Sequence, residues 1–142
     1  MGCHITIETP RVQKPISEVH AMIRGLDLSR KRDLLAEREG ISKEEATRWT
    51  ELFRKTLCLF VSFSGNLLWI HKEADEVLHL FMLDTREYPQ FCDKVFGSFL
   101  DHKLRLSTDP LPEPAETTVG RTAEFWRELF GEDFSQQGIV WH

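Results

Sequence analysis

The sequence predicts an all-α protein, a compact single-domain bundle of about five to six helices. Apolar residues recur at three- and four-residue spacing in several separate stretches, which is the periodicity of helices and not of strands. Start and stop signals bracket those stretches, with Pro15, Ser42 and Pro89 near the beginnings and Gly25, Gly40 and Gly131 near the ends. The 142 residues, 41% hydrophobic and 29% charged, are one domain's length of chain with apolar material for one core.

Residues 1–14 lie ahead of the first helix as an N-terminal arm. Pro15 suits a first helical turn, and Ile16, Val19, Met22, Ile23 and Leu26 follow on one face, with Gly25 near the stop. Asp27 or Ser29 can cap a second helix that carries Leu34 and Leu35 and ends at Gly40. Ser42, with Glu45 three residues on, forms a capping box for a third helix. Its Ala46, Trp49, Phe53, Thr56, Leu57, Phe60 and Val61 make one continuous stripe, the best-specified in the chain. Residues 62–66 read as a loop around Gly65 and Asn66.

From 73 to 86 nearly every middle position is apolar, Val77, Leu78, Leu80, Phe81, Met82 and Leu83, interrupted only by His79. A helix apolar all round is expected to be central and buried. Pro89 then occupies a first helical turn, and Tyr88, Phe91, Cys92, Val95, Phe96 and Phe99 repeat at three and four. His102 falls on that stripe if the helix runs so far, and Gly97 falls on the opposite face. Alternating Pro110, Pro112 and Pro114 make an extended connector over about 107–120. A short last helix over 122–130 is anchored by Phe125, Trp126, Leu129 and Phe130 and stopped by Gly131. The tail, 132–142, is expected to pack on the core, because Ile139, Val140 and Trp141 are costly to leave in water.

The formal charge is -5, and basic residues such as Arg30, Lys31 and Arg32 are interleaved with acids. Without a positive stripe there is no counterion-release drive, so nucleic-acid binding is not expected. Cys3, Cys58 and Cys92 are odd in number and far apart, which argues for free thiols in a reducing compartment. The apolar run 57–63 is far shorter than the roughly 20 residues of a membrane span, and the N-terminus lacks a basic-then-apolar signal pattern. A cytoplasmic protein with no transmembrane segment is the expectation. One detail runs against it: residues 1–6 fit the short N-myristoylation pattern at Gly2, with Cys3 as a palmitoylation partner. Stable anchoring needs two such lipid signals.

Chemistry is concentrated around His79. An imidazole amid Leu78, Leu80, Phe81 and Met82 must be desolvated and needs partners for its ring nitrogens. Asp75, one turn earlier, is within reach and could orient His79 as a metal ligand or general base. The plainer reading is a core histidine satisfied by Asp75 and a backbone carbonyl. Cys92 and His102 can face the same interior from the next helix, and a thiolate with two imidazoles suits zinc, iron or copper. Cys92 alone reads as a small core residue. No ligand pair has zinc-finger or H-E-x-x-H spacing, no strained turn or glycine-rich oxyanion setting accompanies the cysteine, and no phosphate-cradling loop is present. No catalytic residues are assigned.

The stretch Asp75-Glu76-Val77-Leu78-His79, Leu83, Thr85-Arg86-Glu87-Tyr88, Phe91-Cys92, Phe96-Gly97 and His102 resembles the signature of the glycine-rich domain-containing protein-like family. That signature runs approximately D-x-x-W-H-x-H-x-L-x-T-x-x-Y-x-x-F-C, then F-G and a closing H. The likeness extends upstream to Trp49 and Phe53 and downstream to Phe125-Trp126-Arg127-Glu128-Leu129-Phe130-Gly131. Leu78 stands where the family has tryptophan, Phe81 where many members have a second histidine, and the glycine-rich regions are missing. The resemblance implies an all-helical fold and a depleted version of any histidine-cysteine site, and it names no reaction.

The expected function is binding of another protein, with an exposed patch of Trp69, Trp126 or Trp141 as the interaction surface. The alternative is a metal-dependent function using His79, Cys92 and His102, with Asp75 orienting His79 and His71 or His142 completing the shell. A third reading is lipid-mediated membrane recruitment through Gly2 and Cys3.

Overall fold

The computed structural model describes residues 6–100 and 108–134. Among them are six helices, α1 (Ile16–Arg24), α2 (Ser29–Glu39), α3 (Lys43–Ser62), α4 (Lys72–Met82), α5 (Glu87–Phe96) and α6 (Ala115–Phe130). Two short strands, β1 (Thr6–Glu8) and β2 (Leu67–Trp69), complete the order. The all-α class therefore holds, with α3 as the axis against which α1, α2 and α4 pack.

Capping explains why the chain breaks where it does. The Ser42 hydroxyl accepts from the Glu45 N–H at 3.1 Å and starts α3, the longest helix among those described. The reciprocal half of the box is absent, because the Glu45 carboxylate accepts from Trp49 Nε1 instead. Asp27 Oδ1 takes the Ser29 N–H and hydroxyl ahead of α2. The end of α1 is closed from outside: Arg54 Nη1 of α3 donates to the carbonyls of Ile23, Arg24 and Leu26. Those oxygens lie at and just beyond the helix end, where the intrahelical ladder runs out, so one guanidinium ties α1 to α3.

Four sequence expectations are corrected. The arm over 1–14 contains β1, which pairs antiparallel with β2 in the register Thr6 to Trp69, Ile7 to Leu68 and Glu8 to Leu67. Three-residue strands carry too little alternation to read as such. Thr9 holds the join, its hydroxyl donating to the Asn66 carbonyl and accepting from the Asn66 N–H. Second, α4 stops at Met82 and not near 86, because Asp84 Oδ1 accepts from the N–H groups of Arg86 and Glu87 and starts α5 instead.

Third, α5 stops at Phe96. Gly97, at φ 73°, sends its N–H to the carbonyls of Cys92 and Asp93, a left-handed stop that suits glycine. The stripe thus ends before Phe99 and His102. Fourth, α6 begins at Ala115, so the extended connector is shorter than expected at its C-terminal end. Pro114 sits just before the first turn, where the missing N–H costs nothing, and the three alternating prolines hid that start.

One hydrophobic cluster fills the space between these elements. Its centre is an aromatic stack: Phe53 of α3 lies 5.6 Å from Phe81 of α4 and 6.2 Å from Phe91 of α5, with Phe81 and Phe91 4.3 Å apart. On the other side of α3, Trp126 of α6 is fully buried and Phe134 nearly so. The sheet is fixed to α6 by the Trp69 N–H, which donates to the Thr122 hydroxyl, and by Arg121, which donates to the Leu67 carbonyl.

Candidate functional site

Asp75 and His79 project from successive turns of α4, and their side chains meet, with His79 Nε2 3.1 Å from Asp75 Oδ2. The Asp75 carboxylate is buried at 7% exposure, but the His79 side chain keeps 35% of its surface. The expectation of a fully desolvated imidazole is corrected: α4 buries Ala74, Asp75, Val77, Leu78, Leu80 and Phe81, and His79 stands at the edge of that face. The hydrogen bond to Asp75 holds the imidazolium and raises the His79 pKa above its ordinary value, while burial pulls it down in part. With Nε2 engaged by Asp75, Nδ1 lies 3.8 Å from Glu76 Oε1.

Cys92 points from α5 into the core at 1% exposure. Among the described residues, no three histidine, cysteine or acidic side chains form a group able to hold a metal ion. Among the described residues, the donors brought together are Asp75 and His79, with Glu76 beside them. His102 and His142 lie outside the described residues, as do Gly2, Cys3 and Trp141.

His71 has a different role from the one expected of it. It occupies the N-cap position of α4 at 1% exposure, with its ring 3.9 Å from that of Phe134 and edge-on to Trp126 at 5.5 Å. Burial drives its pKa down to about 3, and a hydrogen bond with the Phe134 backbone opposes this only in part. The ring is therefore neutral near pH 7 and serves as a polar member of the core.

The tryptophan patch is also corrected. Trp126 is 0% exposed, with Nε1 donating to Glu132, and presents nothing to a partner. Trp69 is half-buried between β1 and α6. Tryptophan was a poor guide because a large amphipathic ring is as useful for closing a core as for making an interface.

The exposed apolar surface lies elsewhere. Leu83 is 62% exposed, Phe99 59% and Leu34 39%. Phe99 packs edge-on against Tyr88 at 5.3 Å, and the Tyr88 N–H donates to Asp84, the residue after Leu83. Lys31 of α2 pairs with Glu87 at 2.5 Å and stands over the Phe81 ring. Arg38, further along α2, lies near enough to His79 to oppose its protonation. Leu34 falls between Lys31 and Arg38 on one face of α2. Leu83 and Phe99 thus flank the corner where α4 turns into α5, with Leu34 exposed on the neighbouring α2.

Of the stretch that resembles the family signature, residues 75–97 lie on this same α4–α5 unit, and several have structural tasks. Tyr88 Oη donates to the Leu100 carbonyl at 2.6 Å, Gly97 stops α5, and Phe91 belongs to the central stack. No family model, curated protein or solved structure matches the chain. Among the described residues, no helix is long and apolar enough to cross a membrane.

Sequence reading missed a groove formed by α1, α3 and the end of α6. Its residues include His20 and Arg24 on α1, and Arg54 and Cys58 on α3. Each pair has i, i+4 spacing, which was legible, but the packing of α1 beside the end of α6 was not.

Proposed function

We propose that this chain is a non-enzymatic helical module that binds another protein through the corner between α4 and α5. The observation that carries the reading is the exposure of Leu83 and Phe99 beside one turn, Phe99 packing on Tyr88 whose N–H donates to Asp84, with Leu34 also exposed on α2, the helix that the Lys31–Glu87 pair ties to that turn. Scattered exposed leucines need no explanation, whereas clustered ones edged by charge mark interaction surfaces. Here Lys31, Arg38, Asp84 and Glu87 form the polar edge. The free thiols of Cys58 and Cys92 suit a reducing, cytoplasmic setting.

Leu83→Asp is expected to abolish capture of that partner while leaving the fold intact, since exposed substitutions change stability by about 0.5 kcal/mol or less. The check is a pull-down from cells with wild type, Leu83→Asp and Ile16→Asp side by side, each verified by circular dichroism. A partner lost with Leu83→Asp and kept with Ile16→Asp supports the corner. Equal capture by all three removes it.

A second reading is a metal-dependent function at His79, Cys92 and His102. It is favoured by the Asp75–His79 hydrogen bond, which is the arrangement that orients a ligating imidazole. Metal analysis of protein purified without chelator tests it: near-stoichiometric zinc, iron or copper, lost in His79→Ala, is the result this reading requires. The raised pKa of His79 means a bound metal displaces a proton, so loading would fall as pH drops.

A further inference from the structure

We propose that the groove between α1, α3 and the end of α6 binds a small amphiphilic anion, a carboxylate with a short alkyl chain. The charge meets Arg24, and the chain lies along Cys58, Leu129 and Phe130. The site lies apart from the α4–α5 corner, and the inference does not depend on the protein-binding reading.

The groove is open to solvent and has a volume of about 290 Å³, just below the roughly 300–1,000 Å³ of small-molecule clefts. Three permanent cations border it, Arg24, Arg54 and Lys55, together with His20, and among the described residues no carboxylate is part of its lining. Two of those cations are already engaged. Arg54 caps α1 and pairs with Glu51, and Lys55 Nζ lies 2.6 Å from Glu132 and over the Phe130 ring. His20 Nε2 is 2.8 Å from the Ser62 hydroxyl. Arg24 differs: among the described residues its guanidinium has no hydrogen bond or ion pair, and it is exposed at the rim. Its five N–H donors suit a carboxylate taken through two parallel hydrogen bonds.

The remaining lining is apolar. Leu129 and Phe130 are half-buried. Cys58 is half-buried too, and burial raises its thiol pKa despite the nearby Arg24 and Arg54, so it offers a neutral, polarisable surface and not a thiolate. A cationic rim over an apolar floor with no acid selects an anion that has an apolar body, and it disfavours both simple cations and uncharged polar solutes.

The test is titration of the isotope-labelled full chain with octanoate, octylammonium and octanol, followed by amide chemical shifts. Saturable shifts at Cys58, Leu129 and Phe130 with octanoate are expected. Binding should weaken by about tenfold or more in Arg24→Glu, the scale of one lost charge-assisted hydrogen bond. Octylammonium should not saturate. A second variant, Cys58→Phe, fills the floor without touching the charge and should also block octanoate. Equal binding of octanol, or octanoate binding unchanged in Arg24→Glu, overturns the proposal. So does Arg24-dependent sedimentation with phosphatidylglycerol vesicles in the absence of octanoate binding, which would assign the cation to a lipid surface.

Discussion

Phe53→Ala should lower the unfolding free energy by about 3–5 kcal/mol, the range for truncating a buried aromatic ring. Phe53 is 1% exposed and touches the rings of both Phe81 and Phe91, so it is where α3, α4 and α5 join. Losing it removes transfer free energy, opens a cavity and breaks two ring contacts worth roughly 0.5–1.5 kcal/mol each beyond area alone. Because α4 and α5 present the exposed corner, the same substitution should loosen the geometry of Leu83 and Phe99. For a domain whose total stability is about 5–15 kcal/mol, this is a large share, and the melting temperature should fall by roughly 10 °C or more. Thermal and urea unfolding beside Leu83→Ala, whose side chain is exposed, measures it. A loss under about 1 kcal/mol for Phe53→Ala would mean that the stack does not join the three helices.

The fold was readable where one helix carries both its cap and its stripe. Ser42, Glu45 and the apolar series from Ala46 to Val61 specify α3 almost completely, and the structure buries Ala46, Phe53, Thr56, Leu57, Phe60 and Val61 as that series requires. Boundaries failed where a polar side chain or a left-handed glycine overrides hydrophobic spacing. Asp84 breaks an apolar run that periodicity would carry to 86, and Gly97 halts a stripe that would reach His102. The two strands were invisible because each is only three residues long and their partners are distant in sequence.

The candidate site was readable only within one helix. Asp75 and His79 share a face of α4 at i, i+4 spacing, a local relation that sequence fixes. Whether Cys92 or His71 joins them depends on how helices pack, and the structure turns Cys92 into the core and His71 toward Trp126 and Phe134. The apolar corner was unreadable for the same reason. Leu34, Leu83 and Phe99 look like core residues in sequence, and only the sharp turn at Asp84 and the stop at Gly97 put Leu83 and Phe99 outside.

His71 should make the protein acid-sensitive well above the carboxylate range. Its pKa is about 3 in the folded chain against 6.5 for the free side chain. Between those values the unfolded chain binds the extra proton, so stability rises with pH. The contribution is complete above about pH 6.5 and is lost as pH falls toward 3, at about 1.4 kcal/mol per pH unit. His79 works in the opposite sense. Its pKa is raised by Asp75, so its contribution is complete below 6.5 and is lost as pH rises through the folded value; it is partly exposed, so solvent screening reduces its weight. Asp27, Glu45 and Asp84 are held below the usual carboxylate range by hydrogen bonds from Ser29, from Trp49 and Arg48, and from the Glu87 and Arg86 N–H groups, respectively. Their contributions are present at neutral pH and are lost only as pH falls below about 5. The interval from about pH 6.5 to 5 therefore isolates the histidines. Urea unfolding across it should show wild type losing stability, His71→Phe losing distinctly less, and His79→Gln losing about as much as wild type, because the His79 contribution is already complete below 6.5. A wild-type profile that is flat over this interval, or one that His71→Phe leaves unchanged, would mean that the ring is hydrated and that Phe134 does not seal it, in which case the end of α6 is not the closed side of the core.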